Sequence, residues 1–330
     1  MKEKVFITRK IPECAVRKIQ TIADVEMWES EEIPIPRHLL VEKIGEVDGL
    51  LCLLTETIDK ELLARTKRLK VISNMAVGYN NINVEAASKQ GIAVTNTPGV
   101  LTETTADLTF TLLMATARRI VEASDYLRNG KWHTWSPMQL TGQDIFGATL
   151  GIIGLGRIGE ALSKRAKGFD MRVLYHNRTR KTDAEEKLGL EYTEMEKLLK
   201  EADFVCVMTP LTPETKGLIG RKELSLMKKS GILINTARGG IVDEEALYEA
   251  LENGTIWAAG LDVFEQEPLD LTHPLLSLPN VVTLPHIGSA SITTRTTMAE
   301  LAADNLVDAL EGRSPRNLIN REAIIRQYKI

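Results

Sequence analysis

The sequence of 330 residues has few cysteines and histidines, no strong excess of charge and no long apolar run. Its three cysteines, Cys14, Cys52 and Cys206, are far apart and form no C-x-x-C pair. This argues against a disulfide framework or a zinc site, so we expect no metal. The net charge of -4 gives no reason to expect nucleic acid or an anionic membrane as a partner. Because bilayer-spanning runs and a signal-peptide core are lacking, we expect a protein of the reducing cytoplasm.

The length and the hydrophobic pattern indicate two α/β domains. A chain of 330 residues exceeds one ordinary hydrophobic core. Strands are predicted in two series, first at 5–8, 47–53, 69–73 and 93–95, then at 149–154, 172–176, 203–208, 231–235, 258–263 and 280–284. Helical patterns lie between them, as at 12–22, 59–66, 83–90 and 243–254. Alternating strands and helices favour a doubly wound parallel sheet in each domain.

Two further helices and one loop lie outside these two series of strands. A long helix is predicted from Thr102 to Asn129, with Asn129-Gly130 as its stop signal. The loop at 131–138, K-W-H-T-W-S-P-M, follows it and is rich in aromatic residues. A last amphipathic helix is predicted at 291–310, and we expect it to return to the first α/β unit.

The segment G-L-G-R-I-G at 154–159 is a glycine fingerprint in the context that a dinucleotide site requires. It follows the apolar strand T-L-G-I-I and begins a helix, so its backbone can approach a pyrophosphate at the helix N-terminus. The alternative is a glycine-rich turn without a ligand. No G-K-[ST] follows, so a P-loop is excluded. The residues predicted to bind a dinucleotide here are Gly154, Leu155, Gly156, Arg157, Ile158 and Gly159.

A basic cluster follows in the stretch L-Y-H-N-R-T-R-K at 174–181. Asn177 lies 18 residues beyond Gly159, close to where an NAD-binding protein has an acid for the ribose hydroxyls. Without that acid a 2′-phosphate is not repelled, and Arg178 can form a fork onto it while Thr179 or Arg180 adds donors. We therefore expect NADP to be preferred, with NAD also possible. The alternative is a solvated basic turn.

A dinucleotide implies hydride transfer, which needs a proton donor. Of the five histidines, His286 follows the predicted strand N-V-V-T-L-P. It would lie at the carboxyl end of a strand, where open α/β sheets bind ligands. The alternative for His286 is a structural role.

Two other strand ends provide charged residues. Arg238 follows I-L-I-N-T-A and offers a planar fork for a carboxylate, unless it forms a surface salt bridge. Glu265 and Glu267 follow G-L-D-V-F. A carboxylate beside an imidazolium stabilises its charge. We interpret Glu265 as solvated, and for Glu267 both a solvated and a functional role stay open.

Five ordered motifs carry a resemblance that covers essentially the whole chain. They lie at 74–82, 151–159, 227–240, 260–268 and 284–290. On these residues the chain resembles the D-isomer-specific 2-hydroxyacid dehydrogenases, most of all the glyoxylate/hydroxypyruvate reductases among them. The resemblance implies two Rossmann-like domains with a cleft between them. Residues 1–99 and 286–330 would form the substrate domain, and 100–285 the dinucleotide-binding domain.

The resemblance also implies roles for single residues. Arg238 matches the arginine that binds the substrate carboxylate and oxo group, His286 the general acid/base, and Glu267 its carboxylate partner. Leu53, Val77 and Gly78 match the substrate-binding wall and backbone donors. The residues that match cofactor contacts are Thr105, Thr236, Ala237, Asp262 and Gly288, with Asp262 at the nicotinamide carboxamide.

The implied activity is reduction of glyoxylate or hydroxypyruvate to a D-2-hydroxy acid with NADPH or NADH. The implied assembly is a homodimer formed through the long helix and the aromatic loop. Gln139 aligns where similar hydroxypyruvate reductases have a further tryptophan, so other 2-oxo acids stay open. The alternatives are a 2-ketogluconate reductase, a phosphoglycerate or phosphite dehydrogenase, and a dinucleotide-sensing corepressor. Glu267 argues against a formate dehydrogenase, which has glutamine there.

Overall fold

The computed structural model describes residues 2–324. The chain divides into two compact units, one of Met1–Leu101 with Ala290–Ile330 and one of Thr102–Ser289. His286 is therefore part of the second unit, whereas the boundaries expected from the sequence put it in the first. Within residues 2–324, none of the helices combines the length and apolar character that crossing a membrane requires. In the same residues, no three His, Cys, Asp or Glu side chains converge as metal ligands would.

The N-terminal part of the first unit is a parallel sheet with connecting helices. Its elements are β1 (Glu3–Ile7), α1 (Glu13–Gln20), β2 (Ala23–Met27), α2 (Arg37–Ile44), β3 (Gly49–Cys52), α3 (Lys60–Leu63), β4 (Val71–Asn74), α4 (Val84–Lys89) and β5 (Ala93–Thr95). All neighbouring strands pair in parallel, in the order β2-β1-β3-β4-β5. The order reverses between β1 and β3, which is where such sheets bind ligands. The four predicted strands of this unit are confirmed.

The sequence prediction missed β2 and α2. Strand β2 lies at the edge of the sheet, and only Ala23 of its five residues is buried. Asp24 and Glu26 make the segment polar, so it lacks the apolar run of a central strand. Pairing with β1 along its whole length holds it in the sheet.

The second unit contains a seven-stranded parallel sheet. Its elements are α5 (Thr102–Ala117), α6 (Ile120–Arg128), β6 (Thr149–Ile153), α7 (Arg157–Lys167), β7 (Arg172–His176), α8 (Thr182–Leu188), β8 (Glu191–Tyr192), α9 (Met195–Glu201), β9 (Phe204–Val207), α10 (Arg221–Leu226), β10 (Ile232–Asn235), α11 (Glu244–Glu252), β11 (Ala258–Leu261) and β12 (Val281–Thr283). The strand order is β12-β11-β10-β9-β6-β7-β8. Reading outward from β6, this is the dinucleotide-binding arrangement, with the reversal between β6 and β9. All six predicted strands are confirmed, and the short edge strand β8 was missed.

The single helix predicted from Thr102 to Asn129 is wrong. The structure has two helices, because Arg119 adopts a left-handed backbone with φ 52°. The segment around Gly142 packs against the end of α5, where the amide of Gln143 donates to the carbonyl of Ala117 at 2.9 Å. A Cβ at Gly142 would overlap that carbonyl. The break therefore arises from a contact with a distant segment, while the predicted stop at Asn129-Gly130 does end α6.

The chain then returns to the first unit with α12 (Ile292–Leu310) and α13 (Arg321–Ile324). Helix α12 packs on α1, β3 and β4, as the sequence predicts. It contributes Ala299, Ala302 and Ala303 to the core on one face of the sheet. These small side chains let the helix backbone approach the strands closely. On β3, Leu51 belongs to this core and Leu50 to the core on the opposite face, as expected for a strand covered on both sides.

Candidate active site

The glycine fingerprint forms a tight turn between β6 and α7. The turn has no room for a side chain at Gly154 but borders open space at Gly156. Gly154 has φ 97°, and a Cβ there would lie 2.7 Å from the amide nitrogen of Thr209. At Gly156 an added Cβ would have nothing within 4 Å. The backbone of Gly156 thus borders an open space at the first turn of α7. This is the cradle that a pyrophosphate requires, and the residues present fit a dinucleotide.

Thr209 lies against this turn and was missed by the sequence prediction. It lies two residues after β9, the strand paired with β6 where the sheet order reverses. Its hydroxyl oxygen is buried and has no hydrogen-bond partner within residues 2–324. A polar T-P-L-T segment directly after a buried strand was the available signal.

Asn177 fastens the fingerprint to the end of β7. Its Oδ1 accepts a hydrogen bond from the amide of Leu155 at 2.7 Å. Its Nδ2 donates to the carbonyl of Leu155 at 3.4 Å. The side-chain oxygen of Asn177 therefore stabilises the turn. A contact with a ribose would be formed in addition to this hydrogen bond.

The basic residues after Asn177 differ in their surroundings. Arg178 and Thr179 are exposed, and Arg178 forms no ion pair in the part of the chain that the structure describes. Arg180 donates from Nε and Nη2 to the carboxylate of Glu185 at 2.8 and 2.6 Å. Its guanidinium also lies 5.7 Å from the ring centre of Tyr192. Only Arg178 therefore offers an unpaired guanidinium at this strand end.

His286 and Glu267 form a close pair. Nδ1 of His286 lies 2.7 Å from Oε2 of Glu267, while Oε1 of Glu267 accepts a hydrogen bond from the amide of Phe264 at 3.0 Å. Burial opposes ionisation of Glu267, but the hydrogen bond and charge of His286 outweigh it and lower the pKa of Glu267 below its ordinary value. The carboxylate thus fixes Nδ1 and leaves Nε2 of the ring for a ligand. His286 also has a left-handed backbone with φ 54°, a strained conformation that is concentrated at functional sites.

Glu265 does not take part in this pair. Its side chain is exposed and its nearest cation is Lys216, at 3.9 Å. Its amide donates to Glu244 at 2.6 Å, and the same carboxylate lies 3.2 Å from His273. The structure therefore gives Glu265 the solvated position expected and brings Glu267 to the histidine.

Arg238 is held by the turn that follows β10. The buried side chain of Asn235 spans this turn, donating to the carbonyl of Arg238 at 2.9 Å and accepting from the amide of Ala237 at 3.1 Å. Arg238 forms no ion pair among residues 2–324, so it is not the surface salt bridge of the alternative interpretation. Burial lowers the pKa of Arg238, an effect that the charge of Glu267 opposes. An arginine that is partly buried without a carboxylate partner is suited to bind an anion.

The loops that carry Arg238 and Glu267 are in direct contact. A Cβ on Gly239 would overlap the backbone of Phe264 and Glu265. Only glycine lets the two strand-end loops approach in this way. The contact explains why the sequence has glycine directly after Arg238.

Three of the predicted cofactor residues converge on one buried carboxylate. Asp262 is fully buried, and its Oδ1 accepts the amide of Ile287 at 2.8 Å. Its Oδ2 has no hydrogen-bond partner in residues 2–324. A Cβ on Gly288 would lie 3.3 Å from that oxygen and 3.5 Å from Thr105. Burial raises the pKa of Asp262, and an orphaned acceptor here suits an amide donor such as a carboxamide.

The remaining cofactor candidates, Thr236 and Ala237, belong to the turn that carries Arg238. The hydroxyls of Thr236 and Thr109 lie 2.7 Å apart in a buried contact. Thr109 in turn donates to the carbonyl of Thr105 at 2.8 Å. The hydrogen bonds thus connect the β10 turn to α5.

In the first unit, Leu53, Val77 and Gly78 follow β3 and β4. Their carbonyls accept hydrogen bonds from the side chains of Asn81, Asn96 and Asn74, at 3.0, 2.8 and 3.0 Å respectively. The amides of Val77 and Gly78 donate to no group in the part of the chain described. They are therefore available as donors to an anion.

A buried network that the sequence prediction missed shapes these loops. Glu56 accepts hydrogen bonds from the amide of Leu53 at 2.8 Å and from Thr8 at 2.7 Å. It also pairs with Arg9 at 3.1 Å, and both side chains are buried. Asn81 donates to the carbonyls of both Leu53 and Glu56 at 3.0 Å. This network lies at the carboxyl ends of β1 and β3, where the order of the first sheet reverses.

The second unit combines a dinucleotide-type sheet order, an open glycine turn and a histidine–carboxylate pair near an unpaired arginine. These features define an oxidoreductase that uses a nicotinamide dinucleotide. A family model described as D-isomer specific 2-hydroxyacid dehydrogenase, NAD binding domain, matches residues 110–288.

Full-length relatives agree with this match. The chain is 53% identical over 328 residues to a glyoxylate reductase from Thermococcus litoralis, covering 98% of each chain. A crystal structure of a protein from Thermus thermophilus superposes with a TM-score of 0.89 at 48% identity, covering 96% of this chain and 99% of that one. An NADPH-dependent glyoxylate/hydroxypyruvate reductase from Sinorhizobium meliloti, solved with NADP and malonate, gives a TM-score of 0.86 at 34% identity and 97% coverage of both. The chain belongs to the D-isomer-specific 2-hydroxyacid dehydrogenase family.

Proposed function

We propose that the protein reduces glyoxylate, or a closely similar small 2-oxo acid such as hydroxypyruvate, to the D-2-hydroxy acid with a reduced nicotinamide dinucleotide. The observation that carries this proposal is the 2.7 Å pair of His286 and Glu267 at the same sheet edge as the unpaired Arg238. The relative that is 53% identical is a glyoxylate reductase, which supports the choice of substrate.

Each side chain has a role that its surroundings support. Arg238 binds the carboxylate and orients the oxo group. Within the first unit, the amides of Val77 and Gly78 are available as donors to an anion. His286, protonated at Nε2, donates a proton to the carbonyl oxygen. Glu267 holds the ring through Nδ1 and stabilises its positive charge. When bound, the nicotinamide ring supplies the hydride for C2.

We further propose that NADPH is preferred over NADH, with Arg178 binding the 2′-phosphate. Arg178 is exposed and unpaired within the described residues, and no acid stands at Asn177 to repel a phosphate. One charge-assisted hydrogen bond contributes about 1.5–3 kcal/mol. Because about 1.4 kcal/mol is a factor of ten, one such contact gives a preference of about tenfold or more.

A panel of 2-oxo acids assayed with both coenzymes tests the activity. Glyoxylate is expected to be reduced, and His286→Ala and Arg238→Ala are expected to lose nearly all kcat/KM while still binding coenzyme. His273→Ala is a matched control, because His273 also pairs with a glutamate, Glu244, and bonds to neither Glu267 nor Arg238 within the described residues. Turnover of none of these acids would favour a dinucleotide-sensing binding protein, and NADH formed from phosphite would favour a phosphite dehydrogenase.

The coenzyme preference has its own test. Arg178→Ala is expected to reduce the ratio of kcat/KM for NADPH over NADH about tenfold. Asn177→Asp is expected to reduce it further while keeping the turn, since aspartate can still accept the hydrogen bond from Leu155. A wild-type protein that favours NADH would contradict the proposal.

We also propose a homodimer formed through α6 and the aromatic loop. None of the nine residues of α6 is buried, although Ile120, Val121 and Leu127 are apolar. In the loop, Trp132 and Trp135 are 57% and 75% exposed. An apolar surface of this kind on two adjoining segments is typical of a protein–protein contact.

A further inference from the structure

Glu185 on α8 lies against the end of the basic cluster and binds Arg180. Its carboxylate accepts hydrogen bonds from Nε and Nη2 of Arg180 at 2.8 and 2.6 Å. The side chain of Glu185 is only 14% exposed, whereas that of Arg180 is 60% exposed. A two-point pair of this kind fixes the plane of the guanidinium as well as its position.

The position of Glu185 is set by a third group. The hydroxyl of Tyr175, a fully buried residue of β7, donates to Oε1 of Glu185 at 2.6 Å. The same hydroxyl accepts a hydrogen bond from the amide of Lys181 at 2.8 Å. The carboxylate is thus connected to the backbone of the basic turn through the hydroxyl of Tyr175.

The other two cations of the turn differ in whether they have a carboxylate partner. Lys181 pairs with Glu160 of α7 at 2.8 Å, so both Arg180 and Lys181 have carboxylate partners. Arg178 has no carboxylate partner within 4 Å in the described residues. The pKa of Glu214 is lowered mainly by a hydrogen bond from Thr212 and to a smaller extent by the charge of Arg178. Of three cations in four residues, two are therefore compensated by glutamates of neighbouring helices.

We infer that Glu185 limits the preference for NADPH by withholding Arg180 from the 2′-phosphate and cancelling its charge. The inference rests on the proposed binding of the 2′-phosphate at this turn. The inference gives different roles to two arginines that look equivalent in the sequence. Arg178 binds the phosphate, whereas the ion pair with Glu185 keeps Arg180 from binding it. A protein built in this way accepts both coenzymes with a moderate preference.

The charge state of Glu185 supports this role. The hydrogen bonds from Arg180 and then Tyr175 lower the pKa of Glu185 to about 2. The carboxylate is therefore ionised at every pH at which such a protein is assayed. Its charge is therefore expected to be constant between about pH 5 and pH 8.

Calorimetric binding of 2′,5′-ADP and of 5′-AMP measures the preference for a 2′-phosphate without catalysis. Glu185→Gln keeps an acceptor for Tyr175 and removes the charge. It is expected to raise the ratio of the two affinities about threefold to tenfold. The ratio of kcat/KM for NADPH over NADH should rise in parallel. Glu186→Gln, a neutralisation of the adjacent exposed glutamate on the same helix, is the matched control and is expected to change the ratio less than about twofold.

Arg180→Ala completes a double-mutant cycle with Glu185→Gln. In the wild-type background it leaves the charge of Glu185 uncompensated but removes no contact with the phosphate, so it is expected to lower the affinity ratio only about twofold to threefold. In the Glu185→Gln background it should abolish the gain. A larger loss from Arg180→Ala in the Glu185→Gln background than in the wild type distinguishes an Arg180 held by Glu185 from a general effect of surface charge.

The outcomes separate this inference from the proposal on which it rests. An unchanged or lower ratio in Glu185→Gln, with Arg178→Ala still reducing the ratio, overturns the inference alone. If Arg178→Ala leaves the ratio unchanged, binding of the phosphate at this turn is itself wrong. If Glu185→Gln fails to fold, Arg180→Ala in the wild type decides: a loss as large as that of Arg178→Ala overturns the inference, and a loss of at most about threefold supports it.

Discussion

At the scale of residues, a single short contact joins Glu267 to His286. The sequence has two acids after the same strand: it predicts a solvated Glu265 and leaves the role of Glu267 open. The 2.7 Å contact selects Glu267 and also identifies Nδ1 as the nitrogen that it holds. Because Glu267 is ionised above its lowered pKa, a negative charge stands beside the ring throughout the neutral range. The negative charge lies where it can stabilise a positive charge on the ring during proton transfer.

Glu267→Gln is expected to shift the pH optimum of reduction to lower pH. The amide keeps a hydrogen-bonding group at Nδ1 but removes the negative charge that lies 2.7 Å from that nitrogen, so a positive charge on the ring loses its partner. The pH profile of kcat/KM for glyoxylate measures this shift. Glu265→Gln, which removes an exposed acid two residues away, should leave the profile unchanged. A lower kcat with the same profile would mean that Glu267 orients the ring without stabilising its charge.

At the scale of elements, the β6–α7 turn uses two glycines for different reasons. Gly154 has a left-handed backbone and no room for a side chain, whereas Gly156 has an extended backbone, with φ -91° and ψ -165°, and borders open space. The first glycine therefore serves folding and the second serves the ligand.

The pair Gly156→Ala and Gly154→Ala tests this division. Gly156→Ala is expected to weaken NADP⁺ binding about tenfold or more, because the new methyl group occupies the pyrophosphate cradle. Its midpoint of thermal unfolding should stay close to that of the wild type. Gly154→Ala should instead lower the free energy of unfolding by about 1–3 kcal/mol. Equal thermal losses in both variants would refute the assignment.

The loops of the first unit depend on a buried ion pair far away in sequence. Glu56 contacts Arg9, 47 residues before it, and fixes the amide of Leu53. Neither residue belongs to a recognised motif of the chain. The network therefore has a positioning role that only the folded unit reveals.

Glu56→Gln is expected to raise the KM for glyoxylate about tenfold, the equivalent of one lost hydrogen bond to the loop. The dissociation constant of coenzyme should not change, since Glu56 is in the first unit and the fingerprint is in the second. Glu61→Gln, which alters an exposed acid on α3, is the control. A fall in thermal stability with an unchanged KM would show that the network serves folding only.

For the whole molecule, the exposed apolar surface of α6 and the aromatic loop is the basis of the proposed dimer. A single chain leaves Leu127 58% and Trp135 75% exposed, which is costly in water. A second copy of the chain would cover both segments at once through twofold symmetry.

We expect a dimeric mass in light scattering at micromolar concentration. Leu127→Asp should shift the mass towards the monomer, because a charge in an apolar interface lacks a partner. Asp125→Asn, a change of a polar residue on the same helix, should leave the dimer intact. A monomeric wild type would refute the proposed assembly.

The sequence by itself determined the two α/β units and the nucleotide turn, and it placed Arg238 and His286 directly after strands. These features are local: a buried strand is an apolar run, and a functional residue directly after it lies at one known edge of a parallel sheet. The proposed role of Glu267 came from the family resemblance. The family followed from the same short motifs, because their order along the chain is preserved.

Only the tertiary structure decided features that depend on segments distant in sequence. The break between α5 and α6 comes from the hydrogen bond between Gln143 and Ala117. Pairing with β1 holds the edge strand β2 in the sheet. The ion pair of Glu56 with Arg9 forms where the ends of β1 and β3 lie side by side. The pairing of Arg180 with Glu185 was also hidden, because a sequence shows which charges are near but not which side chains face each other. A contact between elements leaves no periodic pattern in either segment, since its energy exists only once both have folded.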